Sequence, residues 1–104
     1  MSNNFCLIYS TGDSKENLQN IAKTLLGKDL IACSNIYSNV SSIYKWQGQI
    51  ESSDEFIMIL KAKSENFEKI STEIEAMHNY DCPAIIQIPV MNMNENYEKY
   101  LNSI

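Results

Sequence analysis

Val40-Ser41-Ser42-Ile43-Tyr44-Lys45-Trp46-Gln47-Gly48-Gln49-Ile50 reads as the far end of a long β-hairpin. Val40, Ser42, Tyr44 and Trp46 alternate on one side and Ser41, Ile43 and Lys45 on the other, the period-two pattern of a strand. Gln47-Gly48 marks the turn, because glycine at its second position tolerates the positive φ that tight hairpins use. The outgoing arm extends back to Ala32 through a proline-free stretch rich in Ile, Val, Tyr and Ser. The return arm runs from Gln49 to Lys63. Its half from Ile50 to Glu55 is polar and projects beyond a core. Its other half, Phe56-Ile57-Met58-Ile59-Leu60, is apolar on both faces and predicts a central strand. Both arms exceed the usual strand length of about five or six residues.

The flanking segments supply the rest of a sheet. Phe5-Cys6-Leu7-Ile8-Tyr9 is an apolar run of strand length, broken by Thr11-Gly12-Asp13-Ser14. Asp13 or Ser14 can cap a helix there, with Glu16 in capping-box relation to Asp13. Leu18, Ile21, Ala22, Leu25 and Leu26 then form one helical stripe, and Gly27 is the expected stop. Ser64 can cap a second helix through Phe67, Ile70, Ile74 and Met77, ending near Asn79. Ala84 to Met91 predicts a last strand, with Pro89 confining it to an edge or bulge. Asn94 to Ile104 predicts a terminal helix with Tyr97, Tyr100, Leu101 and Ile104 on one face. The order β-α-β-β-α-β plus a terminal helix is that of an α+β, ferredoxin-like domain with an antiparallel sheet. Right-handed crossovers put both main helices on one face of the sheet. The strands are apolar on both sides, so the other face needs a cover. In a chain this short that cover is another subunit.

The 104 residues make one domain, residues 1–104, with 44% apolar and 20% charged residues. The longest near-apolar run, Phe56 to Leu60, falls far short of the ~20 residues that span a bilayer, so no membrane partner is expected. Met1-Ser2-Asn3-Asn4 lacks the basic and apolar regions of a signal peptide, which predicts a cytoplasmic protein. Net charge is −5, and every basic residue is lysine. An acidic surface without arginine repels a phosphate backbone and offers no bidentate contact to it, so nucleic acid is not an expected partner. Cys6, Cys33 and Cys82 are odd in number and form no C-x-x-C pair, which suits reduced thiols in the cytosol. With one histidine, His78, no single chain can supply a two-histidine metal site.

Three stretches carry a family resemblance. Ala32-Cys33-Ser34-Asn35, then Ser42-Ile43-Tyr44-Lys45-Trp46-Gln47-Gly48, then His78-Asn79-Tyr80-Asp81-Cys82-Pro83 resemble the A-C-x-N, S-x-Y-x-W-x-G and H-P-Y-E-x-P patterns of the CutA divalent-cation-tolerance family. The resemblance runs from the strand at Phe5 to the helix at Tyr97–Leu101, in matching order and spacing. It implies a ferredoxin-like protomer, a tight homotrimer whose long hairpins pair with neighbouring sheets, and a link to tolerance of divalent ions such as copper. The chain departs from the pattern at Asn79 and Asp81, where the family has proline and glutamate. The positions of three proposed copper ligands in enterobacterial relatives are here Ser10, Met77 and His78.

Candidate site residues follow. His78, at a helix end where a protonated imidazole suits the dipole, is either a capping and packing residue or a metal contact. Cys33 is the second candidate metal ligand, and Cys82 and Met77 are further soft donors for copper. Tyr44 and Trp46, on one strand face, and Tyr80, after the second helix, are either packing residues or the lining of a cleft between subunits. Lys61 and Asp81 would supply charge to that cleft, with Lys61 expected to pair with a carboxylate. A lone histidine, no G-x-S-x-G, no glycine-rich phosphate loop and no paired carboxylates at helical spacing argue against an enzyme. The leading expectation is a trimeric protein linked to divalent-ion (copper) tolerance. The alternative is a trimeric signalling or scaffold protein, built like the nitrogen-regulatory proteins, that binds a small metabolite or protein partner at its subunit clefts.

Overall fold

The computed structural model describes residues 4–104, so the signal-peptide reading of the first residues lies largely outside them. The elements run β1 (Phe5–Gly12), α1 (Lys15–Gly27), β2 (Cys33–Trp46), β3 (Gln49–Lys63), a 3₁₀ turn (Ser64–Asn66), α2 (Phe67–Met77), β4 (Ile86–Pro89) and α3 (Glu95–Asn102). The sheet order is β2-β3-β1-β4, antiparallel throughout, which is the expected ferredoxin-like arrangement. Among the described residues no helix is long and apolar enough to cross a membrane.

Residues paired across an antiparallel ladder share a sheet face. Cys6, Ile8 and Ser10 of β1 and Met58, Leu60 and Ala62 of β3 therefore point to one side, and all six are buried. Leu18, Ile21, Ala22 and Leu25 of α1 and Ile70 and Ile74 of α2 close over them, with Ile31, as one core. Burying each large side chain contributes about 1.5–3 kcal/mol. Leu7, Tyr9, Ile57, Ile59, Lys61, Ile86 and Ile88 share the opposite face. There α3 reaches Lys61, while Ile86, Ile88 and Tyr37 stay exposed. The face without α1 and α2 is thus apolar and largely open, as the strand pattern requires.

The helix ends differ from their expected form. Ser14 alone caps α1, its Oγ accepting from the Asn17 N–H at 3.1 Å. The helix ends at Gly27 as expected, but Gly27 is not its left-handed residue. The left-handed residue is Asp29 (φ 59), with Leu30 N–H bonded to the Leu25 carbonyl and Asp29 N–H to that of Leu26, both at 3.0 Å. That pair of bonds is a Schellman motif. Ser64 opens a 3₁₀ turn and α2 begins at Phe67, where the Asn66 side chain bonds the Leu30 carbonyl instead of capping the helix. β4 is four residues long instead of eight, since it pairs with β1 only from Cys6 to Tyr9. α3 stops at Asn102, and of its expected apolar face only Leu101 is buried.

The hairpin forms as read. Gln47 (φ 51) and Gly48 (φ 79) both take positive φ, the type I′ turn whose twist matches the strands, and Trp46 pairs with Gln49. A bulge between Tyr37 and Val40, with Asn39 at φ 60, bends β2 on the way. β1 stops at Gly12, opposite Phe56, so Gln49 to Glu55 extend past it. At ~3.4 Å per residue this ribbon reaches about 24 Å beyond the three-stranded part, giving a molecule 46 Å long and 26 Å wide.

Candidate functional site

Where β1 ends, the loop from α2 to β4 crosses the root of the ribbon and ties three elements together. The His78 N–H closes α2 on the Ile74 carbonyl at 2.8 Å. The ring Nε2 lies 2.7 Å from the Thr11 carbonyl oxygen, and the Tyr80 N–H lies 3.0 Å from Nδ1. A carbonyl only accepts and a backbone N–H only donates, so Nε2 carries the proton and the ring is neutral. Asn17 braces the same loop. Its Nδ2 donates to the Met77 carbonyl at 3.0 Å and its Oδ1 accepts from the Asn79 N–H at 3.2 Å. The Asn79 amide donates in turn to Asp13 at 3.0 Å.

This bracing aims Tyr80 at the ribbon. Its hydroxyl donates to Glu55, the first residue of β3 beyond the end of β1, and its ring lies 4.9 Å from that of His78. Burial first, and then the Glu55 carboxylate, push the Tyr80 phenol above its ordinary pKa. Tyr44, on the same face of the ribbon, donates to Ser53 at 3.4 Å. Tyr44, Ser53, Glu55 and Tyr80 thus make a continuous polar strip with an aromatic at each end. Asp81 and Cys82, which follow Tyr80 in the chain, are exposed. Trp46 lies farther out on the same face, 61% exposed.

Lys61 belongs elsewhere. It is six residues along β3 from Glu55, about 20 Å by strand rise, opposite Cys33 on one side and Leu7 on the other. The expected carboxylate partner is replaced by a phenol: Lys61 Nζ donates to the Tyr97 hydroxyl at 3.0 Å and sits 4.9 Å from that ring's centre. The bond to Tyr97 outweighs the opposing effect of burial and raises the Lys61 pKa. Lys61 and Tyr97 anchor α3 on the sheet.

The structure therefore brings Tyr44 and Tyr80 to one place, with Asp81 next to Tyr80 in the chain, sets Trp46 on the same face as Tyr44, and separates Lys61 from them. It does not join the two candidate metal ligands. Both nitrogens of His78 are engaged on the side of α1 and α2, and Cys33 lies at the other end of the sheet on the opposite face. Among the described residues no three His, Cys, Asp or Glu side chains are grouped to hold a metal. Of the remaining soft donors, Met77 packs against the core and Cys82 is exposed. Ser10, fully buried, has an Oγ with no hydrogen-bond partner. In one chain these donors do not fit a copper ion, whose sites combine several convergent soft or imidazole ligands. Sequence reasoning missed Glu55, Asn17 and Asn79 as site residues. Glu55, the carboxylate next to the apolar run of β3, was the one with a visible signal.

The same architecture occurs in known proteins. Residues 6–103 match the family model described as CutA1 divalent ion tolerance protein. The divalent-cation tolerance protein CutA of Archaeoglobus fulgidus is 46% identical over 83 residues, 80% of this chain and 80% of the relative. Its namesake from Pyrococcus horikoshii is 39% identical over 95 residues, 91% and 92% of the two chains. The crystal structure of divalent ion tolerance protein CutA1 from Ehrlichia chaffeensis superposes with a TM-score of 0.90 at 37% identity, over 96% of this chain and 94% of that one. Because the match takes in the sheet, the projecting hairpin and the braced loop alike, this chain belongs to the CutA1 divalent ion tolerance family.

Proposed function

We propose that this chain acts as a homotrimer in divalent-cation tolerance, by binding and assembly and not by catalysis. The observation that carries the reading is the open apolar face, continued by a ribbon with exposed Ile43, Tyr44, Trp46 and Ile50. Exposed apolar surface of this extent marks an association site, and closed cyclic symmetry is the usual way to bury one. The relatives' names supply the link to divalent cations. The three free thiols fit a reducing cytoplasm.

Within that assembly we place the ligand-facing cleft at Tyr44, Trp46, Tyr80 and Asp81, where the ribbon root meets the braced loop. A copper site built on His78 and Cys33 finds no support in the geometry. Of the candidate donors, Asp81 and Cys82 are the exposed ones, directly after Tyr80 in the chain. Light scattering on the purified protein tests the assembly: three 11.9 kDa chains per particle are expected. A stable, folded particle of one chain's mass would overturn it. Growth of a strain lacking the gene in graded copper, zinc and cobalt tests the role, with reduced tolerance expected and unchanged tolerance fatal to it.

A further inference from the structure

We infer that the end of the domain opposite the ribbon holds a binding site for a small zwitterion with an apolar side chain, such as a free aliphatic α-amino acid. A cavity of about 690 Å³ opens there between the α1–β2 loop, the end of β3 and the C-terminal part of α3. Its volume falls within the range of small-molecule sites, about 300–1,000 Å³. Phe5, Ile31, Ala62 and Leu101, all buried, form an apolar floor.

Three charged side chains stand on its rim: Asp29, Lys63 and Glu65. None of them has an ion-pair partner among the described residues, where Lys28–Glu73 and Lys99–Glu95 are the pairs formed. One lysine and two acidic residues thus line one hollow with an apolar floor, and none of them is ion-paired with another. That is the complement of a molecule carrying its own carboxylate and ammonium beside a hydrocarbon group. Lys63 would meet the carboxylate, Asp29 and Glu65 the ammonium, and the floor the side chain, each contact being charge-assisted. Asp29 is held toward this end by the Schellman turn that closes α1, and Asn66, also on the wall, is fixed by its bond to the Leu30 carbonyl. The site lies within one chain and about the length of a strand from Tyr80, so its residues are distinct from those of the proposed cleft.

The test uses the intact, isotope-labelled protein with L-leucine, and with two analogues that each lack one charge, 4-methylpentanoate and 3-methylbutylamine. Leucine is expected to move the amide signals of Leu30, Ile31, Ala62 and Leu101 and to raise the melting temperature by mass action. Each analogue is expected to bind at least about tenfold more weakly, the loss of one charge-assisted contact. Lys63→Met and Glu65→Gln should each weaken leucine by a similar factor, and Glu65→Gln, at an exposed position, should leave the ligand-free melting temperature in place. Unmoved amides at about 20 mM leucine, beyond the millimolar affinity that a few contacts supply, would overturn the inference. So would equal binding of leucine and 4-methylpentanoate, which would show an apolar hollow that reads no charge.

Discussion

Replacing Tyr80 with phenylalanine removes one oxygen and isolates a single link between the loop and the ribbon. In the native protein that hydroxyl donates to Glu55. A hydrogen bond to a charged acceptor contributes about 1.5–3 kcal/mol when well buried. Both side chains are half-buried, so solvent screening cuts this, and about 1 kcal/mol is expected for Tyr80→Phe. Glu55→Ala, which removes the acceptor outright, should cost at least as much, and the double variant little more than Glu55→Ala alone, since both singles break the same bond. The coupling in the cycle should therefore be about 1 kcal/mol, read from urea melts at one fixed protein concentration, because association makes stability depend on concentration. The bond also carries a pH signature. Tyr80 holds its proton more tightly folded than unfolded, so its contribution is complete below the ordinary phenol pKa of about 10. It is lost as pH rises from there toward the higher folded value. Native protein should therefore lose stability above about pH 10 more steeply than Tyr80→Phe. Additive single variants, or identical alkaline limbs, would refute the claim that this bond holds the ribbon's root.

Ser10→Ala should stabilise the fold by about 1 kcal/mol, because it removes a buried hydroxyl that has no partner; a destabilised variant in thermal melts would mean the hydroxyl is satisfied. Asp29→Gly should add about 0.5–1 kcal/mol by relieving a non-glycine residue at φ 59, measured as a rise in urea midpoint with unchanged slope. Trp46→Ala should cost the single chain little, since the ring is 61% exposed, yet lower the particle mass on dilution. A three-chain mass persisting down to the same concentration as in the native protein would speak against a place for Trp46 in the interface.

The fold was legible because its signals are periodic. The alternation from Val40 to Trp46, the Gln47-Gly48 turn and the stripes at Leu18–Leu26 and Phe67–Met77 each depend on local chemistry. Together they allow one order of elements. What the chain did not disclose is decided by contacts far apart in sequence. Asp29, and not Gly27, takes the left-handed position because Leu30 has to return to Leu25 and enter β2. β4 is short, pairing with β1 only from Cys6 to Tyr9 although β1 runs on to Gly12. The site shows the same division. Tyr44, Trp46 and Tyr80 stood out as aromatics on a polar background, but Lys61's partner lies 36 residues away in α3, and no spacing rule links Tyr80 to Glu55. His78 stood out as the sole imidazole, yet its role came from two backbone groups, which every residue possesses.

The outer edge of the sheet carries a further consequence. β4 exposes only Ile86 to Pro89, and its last residue has no N–H to give. A visiting strand meets only four residues there, whereas β2 at the other edge and the half of β3 that extends past β1 leave much longer rows of backbone groups open. A chain that pairs with another by strand addition would therefore do so along the ribbon and not along β4.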